Sequence, residues 1–481
     1  MKRIITVLVS MLCICMVSQA KLALSSVCSD GMVLQQNTEA VIWGTADAGA
    51  QVTVIPSWNG KSYKGKADSE GRWSVKVETP AGSYKAYTIS VKGAGGSLKL
   101  NDVLIGEVWL ASGQSNMQMP MSGFFNCPVE NAMEYICAPA ATEKIRMFNV
   151  PAIQSYEPLD NVDAVWKGAD YDSRRWMSAV AYFFALELNQ MLDIPVGIVS
   201  CAYGGARIES WLPKEILETY PDEDLSREAI EARIHYHRPY LMYNAMLNPV
   251  MGYTIKGFIW YQGCSNVGKH DQFCDRMTTL VNHWRECWGD SEAKLPFYMV
   301  ELAPYRNKPY DPTSYFALLR KAQHETAHSI PNSGIVVTND LVESYEQDNI
   351  HPAKKKEVGD RLAWLALNRD YGYAALPCYS PEAVKCVSLA AGNEIGVELT
   401  HCDNGLSRWM EIQGLEVAGS EGIFYPVTYA YFEWETKVLR VRSEFVHDPC
   451  QVRYGWGDFK PGNLKNTEGL PVSPFWLRLE K

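Results

Sequence analysis

The sequence is 481 residues long and lacks an apolar run of membrane-spanning length. Beyond residue 17 nothing reaches the roughly 18 apolar residues expected of a span. A stripe of Lys and Arg is missing too. Acidic residues (55) outnumber basic ones (45), for a net charge of −10. Such a chain is not built to neutralise phosphates, and this excludes a nucleic-acid partner. No CxxC pair and no Cys/His cluster with zinc spacing occurs, so no metal is expected. Repeats and low-complexity tracts are absent as well.

What is present begins with an export signal. Lys2 and Arg3 form a basic start, Ile4 to Val17 an apolar core, and Ser18-Gln19-Ala20 a small-x-small cleavage site. Residues 1–20 are therefore read as a signal peptide. Its apolar core is too short to remain as an anchor, so the mature chain is expected to be secreted or periplasmic, without membrane insertion after cleavage. Removing Lys2 and Arg3 takes the charge from −10 to −12. Of 13 cysteines, eleven lie beyond the signal, and an odd number leaves at least one without an intramolecular partner. Cys127–Cys137 and Cys378–Cys386 are close enough in sequence to bridge, with buried free thiols as the alternative.

A chain of this length favours two or three domains. Residues 21–105 alternate short runs rich in β-branched and aromatic residues (Val33–Gln35, Ala40–Trp43, Gln51–Ile55, Trp73–Val77, Tyr87–Val91) with turns such as Trp58-Asn59-Gly60-Lys61. This spacing predicts a small β-sandwich. Residues 106–370 change texture. Buried strands are expected at Val108–Ala111, Pro195–Ser200, Ile255–Tyr261, Phe297–Leu302 and Ile335–Val337. Helices are expected at Ser178–Leu192, Phe273–Trp288, Tyr315–His328 and Pro352–Leu367. That alternation indicates an α/β domain with a mainly parallel sheet. Residues 371–481 return to β-rich texture (Glu394–Thr400, Tyr429–Glu435, Lys437–Val441, Phe475–Leu479), a tail expected to pack on the N-terminal β region or on the α/β flank.

Polar residues gather in the loops after strand ends, where open parallel sheets place their ligands. Ser115 follows Val108–Ala111 after the break Ser112-Gly113-Gln114. Gly204-Gly205 follows Pro195–Ser200, and paired glycines let backbone N–H groups approach a ligand. Gln262 and Asn266 follow Ile255–Tyr261 and carry amides that can donate to a developing oxyanion. Asp348 and His351 lie three apart before the last helix. Each has an ordinary structural reading: helix cap, turn, loop tie, surface residue. Together they meet the demands of acyl transfer, which needs a nucleophile, a base, a group that orients the base, and oxyanion donors. Ser115, His351, Asp348 and the N–H groups of Ser115 and Gly205 with a side-chain amide fill each role once.

The blocks Gly113-Gln114-Ser115-Asn116-Met117, Tyr203-Gly204-Gly205, Trp260-Tyr261-Gln262-Gly263-Cys264-Ser265-Asn266 and Asp348-Asn349-Ile350-His351-Pro352 resemble those of the SGNH/GDSL hydrolases. More closely, the chain resembles the sialate O-acetylesterase family. Ser29-Asp30-Gly31-Met32-Val33-Leu34-Gln35, Val452-Arg453-Tyr454-Gly455-Trp456, Asn463-Leu464 and Gly469-Leu470-Pro471 extend the likeness over nearly the whole mature chain. The resemblance implies an SGNH-type three-layer α/β/α domain flanked by β-rich regions. It implies a cofactor-free carbohydrate O-acetylesterase, with Ser115 as nucleophile, His351 as base and Asp348 as its orienter. Ser115 and Gly205 would supply oxyanion N–H groups, and the third donor is Gln262 or Asn266, with Gln262, directly after the strand, favoured. Arg207 would contact substrate, with a structural ion pair as its alternative. The family usually has Glu where this chain has Cys264, which changes the electrostatics of the site. An acetylated sialoglycan is the expected substrate. Acetylated xylan or another glycan is the alternative, and a catalytically decayed carbohydrate-binding protein is the non-enzyme rival.

Overall fold

The computed structural model describes residues 21–139, 144–306, 314–389, 392–407 and 411–479. The expected signal peptide lies outside these residues. One strand, Gly96–Gly113, runs through two halves of the molecule. Its first part pairs antiparallel with Ser83–Gly93 and parallel with Val33–Gln35. Its second part lies between Val196–Ala202 and Gly257–Tyr261, parallel to both. The sequence shows why. Up to Asp102 the strand mixes exposed polar residues such as Lys99 with Leu100 on a single buried face, whereas from Val103 to Gly113 every residue is buried. A border at 105/106 falls inside this strand.

The larger sheet is ordered Trp166–Gly168, Ile145–Asn149, Val196–Ala202, Gly96–Gly113, Gly257–Tyr261, Phe297–Val300, Ser333–Val336. All neighbours are parallel except the first edge pair, which is antiparallel. The period-two geometry of a strand splits its side chains between two layers. Trp109 and Ala111 join a core with helices Ala179–Leu192 and Lys356–Asp370. Val108 and Leu110 join another with His270–Cys287 and Tyr315–Ser329. This is a three-layer α/β/α domain around a mainly parallel sheet.

Residues 23–93 form two antiparallel β layers. Ala23–Leu24, Glu39–Thr45 and Arg72–Glu78 make one, and Gln51–Pro56, Tyr63–Lys66 and Ser83–Gly93 belong to the other. The C-terminal region holds two four-stranded antiparallel sheets. It packs on the α/β flank. Tyr305 N–H donates to Asp458 O (2.9 Å), Asn339 Nδ2 to Val472 O (3.1 Å), and His328 Nε2 lies 3.2 Å from a Glu382 carboxylate oxygen.

Two expectations need correction. All eleven cysteines beyond the signal are free thiols, so neither Cys127–Cys137 nor Cys378–Cys386 is bridged. The last helix starts at Lys356 rather than Pro352, because the preceding residues are tied to the loop before them. Ala353 N–H donates to Glu346 Oε1 (2.9 Å), and the Lys355 side chain turns into the protein.

Candidate active site

The central strand ends at Gly113, whose φ of +131° and close approach to Tyr261 leave no room for a side chain; a Cβ there would stand 2.3 Å from Tyr261 O. This bend turns the chain into a short helix, Ser115–Gln118, capped by extended Gln114. Ser115 is thus the first helical residue and not the cap. Gln114 fixes the bend from its side chain, accepting from Gly263 N–H (3.0 Å), while its own N–H donates to Tyr261 O (2.9 Å).

The Gly204-Gly205 loop lies against Ser115. Gly204 N–H donates to Gln118 Oε1 (2.8 Å), and a Cβ on Gly204 would come 3.6 Å from Ser115 Cβ. Gly205 has φ +79° and faces the Tyr236 ring, which a Cβ would meet at 2.5 Å. Its carbonyl accepts from Ser265 Oγ (2.8 Å). Among the described residues, neither Ser115 N–H nor Gly205 N–H meets an acceptor, which leaves both open to an oxyanion.

His351 is brought to the same place through its neighbour. Asn116 Nδ2 donates to Ile350 O (2.9 Å), linking the residue after Ser115 to the residue before His351. His351 Nε2 is buried without a hydrogen-bond partner. On the other side of the ring, Nδ1 lies 3.9 Å from Cys127 Sγ, whose thiol donates to Asn349 Oδ1 (3.3 Å). Phe124 meets the imidazole edge-on, with ring centroids 5.2 Å apart. Burial, and then the charge of Lys355, lowers the His351 pKa to about 4. The imidazole is therefore neutral, as a base must be, from mildly acidic pH upward.

The other expected residues each have partners within the protein. Asp348 is gripped by Arg306, whose Nε is 2.7 Å from Oδ1 and whose Nη2 pairs with Oδ2. Gln262 is fully buried and spends both donors inside the protein, on Ala206 O (3.1 Å) and Asn266 Oδ1 (2.7 Å). Asn266 accepts from Ile208 N–H (3.1 Å) and donates to Glu209 Oε2 (3.1 Å). The two amides thus brace the Gly204-Gly205 loop from behind. Arg207 is directed at Glu209 (3.2 Å) and Glu223 (3.6 Å), and its side chain is only 11% exposed. Of its two readings, the structural ion pair is the one observed. Among the described residues, no group of three or more His, Cys, Asp or Glu is placed to hold a metal ion.

Three residues at the site were not among the candidates: Cys127, Asn116 and Lys355. Lys355 is the least expected. It is 1% exposed, donates to Asn116 Oδ1 (2.6 Å) and lies 5.8 Å from the Tyr261 ring centroid. It sits within Lys354-Lys355-Lys356, a run that reads as solvated; only the pairing of its neighbours with Glu343 and Asp360 reveals which lysine turns inward.

A family model described as carbohydrate esterase, sialic acid-specific acetylesterase, matches residues 105–368. Sialate O-acetylesterase of Mus musculus is 28% identical, with 92% of each chain covered. The Homo sapiens sialate O-acetylesterase is 29% identical over 76% of this chain and 74% of its own. The crystal structure of a carbohydrate acetylesterase from Xanthomonas citri superposes with a TM-score of 0.82 at 32% identity, covering 95% of this chain and 100% of that one. Fold and sequence together define a carboxylic ester hydrolase that acts on O-acetyl esters of carbohydrates. Its matched segment spans the whole parallel sheet from the central strand to the last helix, and the chain belongs to the sialic acid-specific acetylesterase family of carbohydrate esterases.

Proposed function

We propose that the protein is an exported serine esterase that removes O-acetyl groups from sialic acids. The observation that carries the mechanism is the unbonded Nε2 of His351, tied to the Ser115 helix by the bond from Asn116 to Ile350 O. Ser115 Oγ attacks the acetyl carbonyl while His351 Nε2 takes its proton. The tetrahedral oxyanion is met by the N–H groups of Ser115 and Gly205. Collapse breaks the bond to the sugar oxygen, which takes the proton back from His351 and leaves as the hydroxyl, and water then hydrolyses the acetyl-enzyme by the same route. Asp348, three residues before His351 and anchored by Arg306, supports the imidazole from its own loop.

The sugar reading rests on the family match and on the mammalian relatives named sialate O-acetylesterase. Export rests on the signal pattern of residues 1–20. Acetate release from acetylated sialic acid, compared with acetylated xylan, tests the substrate. A clear preference for the sialic acid ester is expected; preference for xylan would assign the protein to plant-glycan deacetylation. N-terminal sequencing of exported protein should begin at Lys21, and retention of residues 1–20 in the mature chain would overturn export.

A further inference from the structure

A fully buried lysine is expensive unless its charge is used or neutralised. Lys355 bonds the Ser115 helix at Asn116 and acts by its charge on His351 in the neighbouring loop. The groups around it can be named by element. Asn116 is on the Ser115 helix, Cys127 on the segment after it, Tyr261 at a strand end, and Cys264 on the following turn. Glu346 and His351 lie on the loop before its own helix. Glu346 is the carboxylate whose charge acts on it. That carboxylate already accepts Ala353 N–H (2.9 Å) and Glu343 N–H (3.0 Å). Cys264 is a neutral thiol, pushed by burial up to about 12, so it offers no counter-charge.

We propose that Lys355 is a positioning residue for this esterase. It holds, through Asn116, the helix that carries Ser115 against the loop that carries His351, and Cys264 brings no carboxylate to offset the positive charge that Lys355 sets against the imidazole. The geometry is a two-bond chain: Lys355 Nζ to Asn116 Oδ1 (2.6 Å), then Asn116 Nδ2 to Ile350 O (2.9 Å). An ammonium makes the first bond charge-assisted and fixes which way the amide points. The same charge opposes a second positive charge on His351. Burial lowers the Lys355 pKa to about 7, with the Glu346 charge opposing that fall. It is therefore protonated across the acidic range in which an ordinary imidazole would take up a proton. His351 stays neutral there, and the esterase keeps working in mildly acidic surroundings.

This inference rests on the assignment of His351 as base and Ser115 as nucleophile. Its test is the acid limb of kcat/KM against pH, followed as acetate release by proton NMR, for wild type, Lys355→Met, Cys264→Glu and Cys264→Gln. The wild-type limb should fall near pH 4, following His351. Lys355→Met removes the opposing charge and Cys264→Glu neutralises it, so both limbs should move up by about one pH unit, a tenfold change in the neutral imidazole fraction at a given pH. Cys264→Gln, with the shape of Glu and no charge, should keep the wild-type limb. Limbs for Lys355→Met and Cys264→Glu that coincide with wild type would overturn the inference. If Lys355→Met does not fold, the Cys264→Glu and Cys264→Gln pair decides alone. A Ser115→Ala variant with full activity would instead overturn the underlying assignment.

Discussion

Asn116 donates its side-chain amide to the carbonyl of Ile350 at 2.9 Å, so the residues flanking Ser115 and His351 are directly bonded to each other. The pair comes from positions 234 apart in sequence. Asn116→Ala should leave the Ser115 helix and the His351 loop without their tie. Turnover of 4-nitrophenyl acetate should fall on the order of tenfold or more while KM barely moves, since orientation and not substrate contact is lost. An unchanged kcat would show that the two loops are held by other means.

The amides of Gln262 and Asn266 face inward, and their substitution should register first as instability. Asn266→Ala strands Ile208 N–H and removes a donor from buried Glu209, each costing about 1–3 kcal/mol. A lowered Tm is expected, with kcat per folded molecule reduced much less than the 10²–10³ typical, to order of magnitude, of a lost oxyanion donor. A variant of wild-type Tm whose kcat drops by that factor would make Asn266 a donor to the reacting carbonyl.

His351 has two candidate supports. Asp348→Asn should lower kcat much more than it raises KM, because it alters the loop's carboxylate without touching substrate. Cys127→Ala removes the group facing Nδ1 at 3.9 Å and should lower kcat more mildly, since a thiol bonds weakly. If Cys127→Ala is the inactive variant and Asp348→Asn matches wild type, support of the imidazole passes to Cys127 and Asn349.

The seam between the α/β domain and the C-terminal sheets contains a titrating pair. Its bond to Glu382 raises His328 from the ordinary 6.5 to about 9. Although burial opposes it, the His328 bond lowers Glu382 below its ordinary 4.5. A raised histidine stabilises fully below its unfolded pKa and loses that contribution as pH climbs through its folded one. The lowered carboxylate contributes above its own unfolded value. The pair should therefore contribute most between pH 4.5 and 6.5 and fade toward pH 9. The Tm difference between wild type and His328→Gln should shrink over that rise, and a difference independent of pH would remove the pair from the stability of the seam.

Much of the architecture was legible because periodicity is local. Ala179–Leu192 and Tyr315–Ser329 appear within one residue of their expected ends, the first because Ser178 Oγ caps Ala181 N–H at 3.2 Å. The continuity of Gly96–Gly113 was not legible, since its polar first half and apolar second half read as different textures of chain. Strand Ile145–Asn149 was missed because Arg146 and Asn149 interrupt its apolar pattern, although Arg146 is buried by its bond to Gly31 O (2.8 Å). At the site, the strand-end loops could be found from their glycines and polar residues. The inward turn of the Gln262 and Asn266 amides could not, because it is decided by Glu209 and Ala206 in another loop. Lys355 was hidden for the same reason, its partner Asn116 lying 239 positions away.

The most direct measurement is covalent labelling with a fluorophosphonate, read by intact mass and peptide mapping. One adduct per chain on the peptide containing Ser115, absent in Ser115→Ala and slowed in His351→Ala, is the result expected of a Ser115 nucleophile activated by His351. An unlabelled wild type that still releases acetate, or a label carried equally by Ser115→Ala, would contradict it.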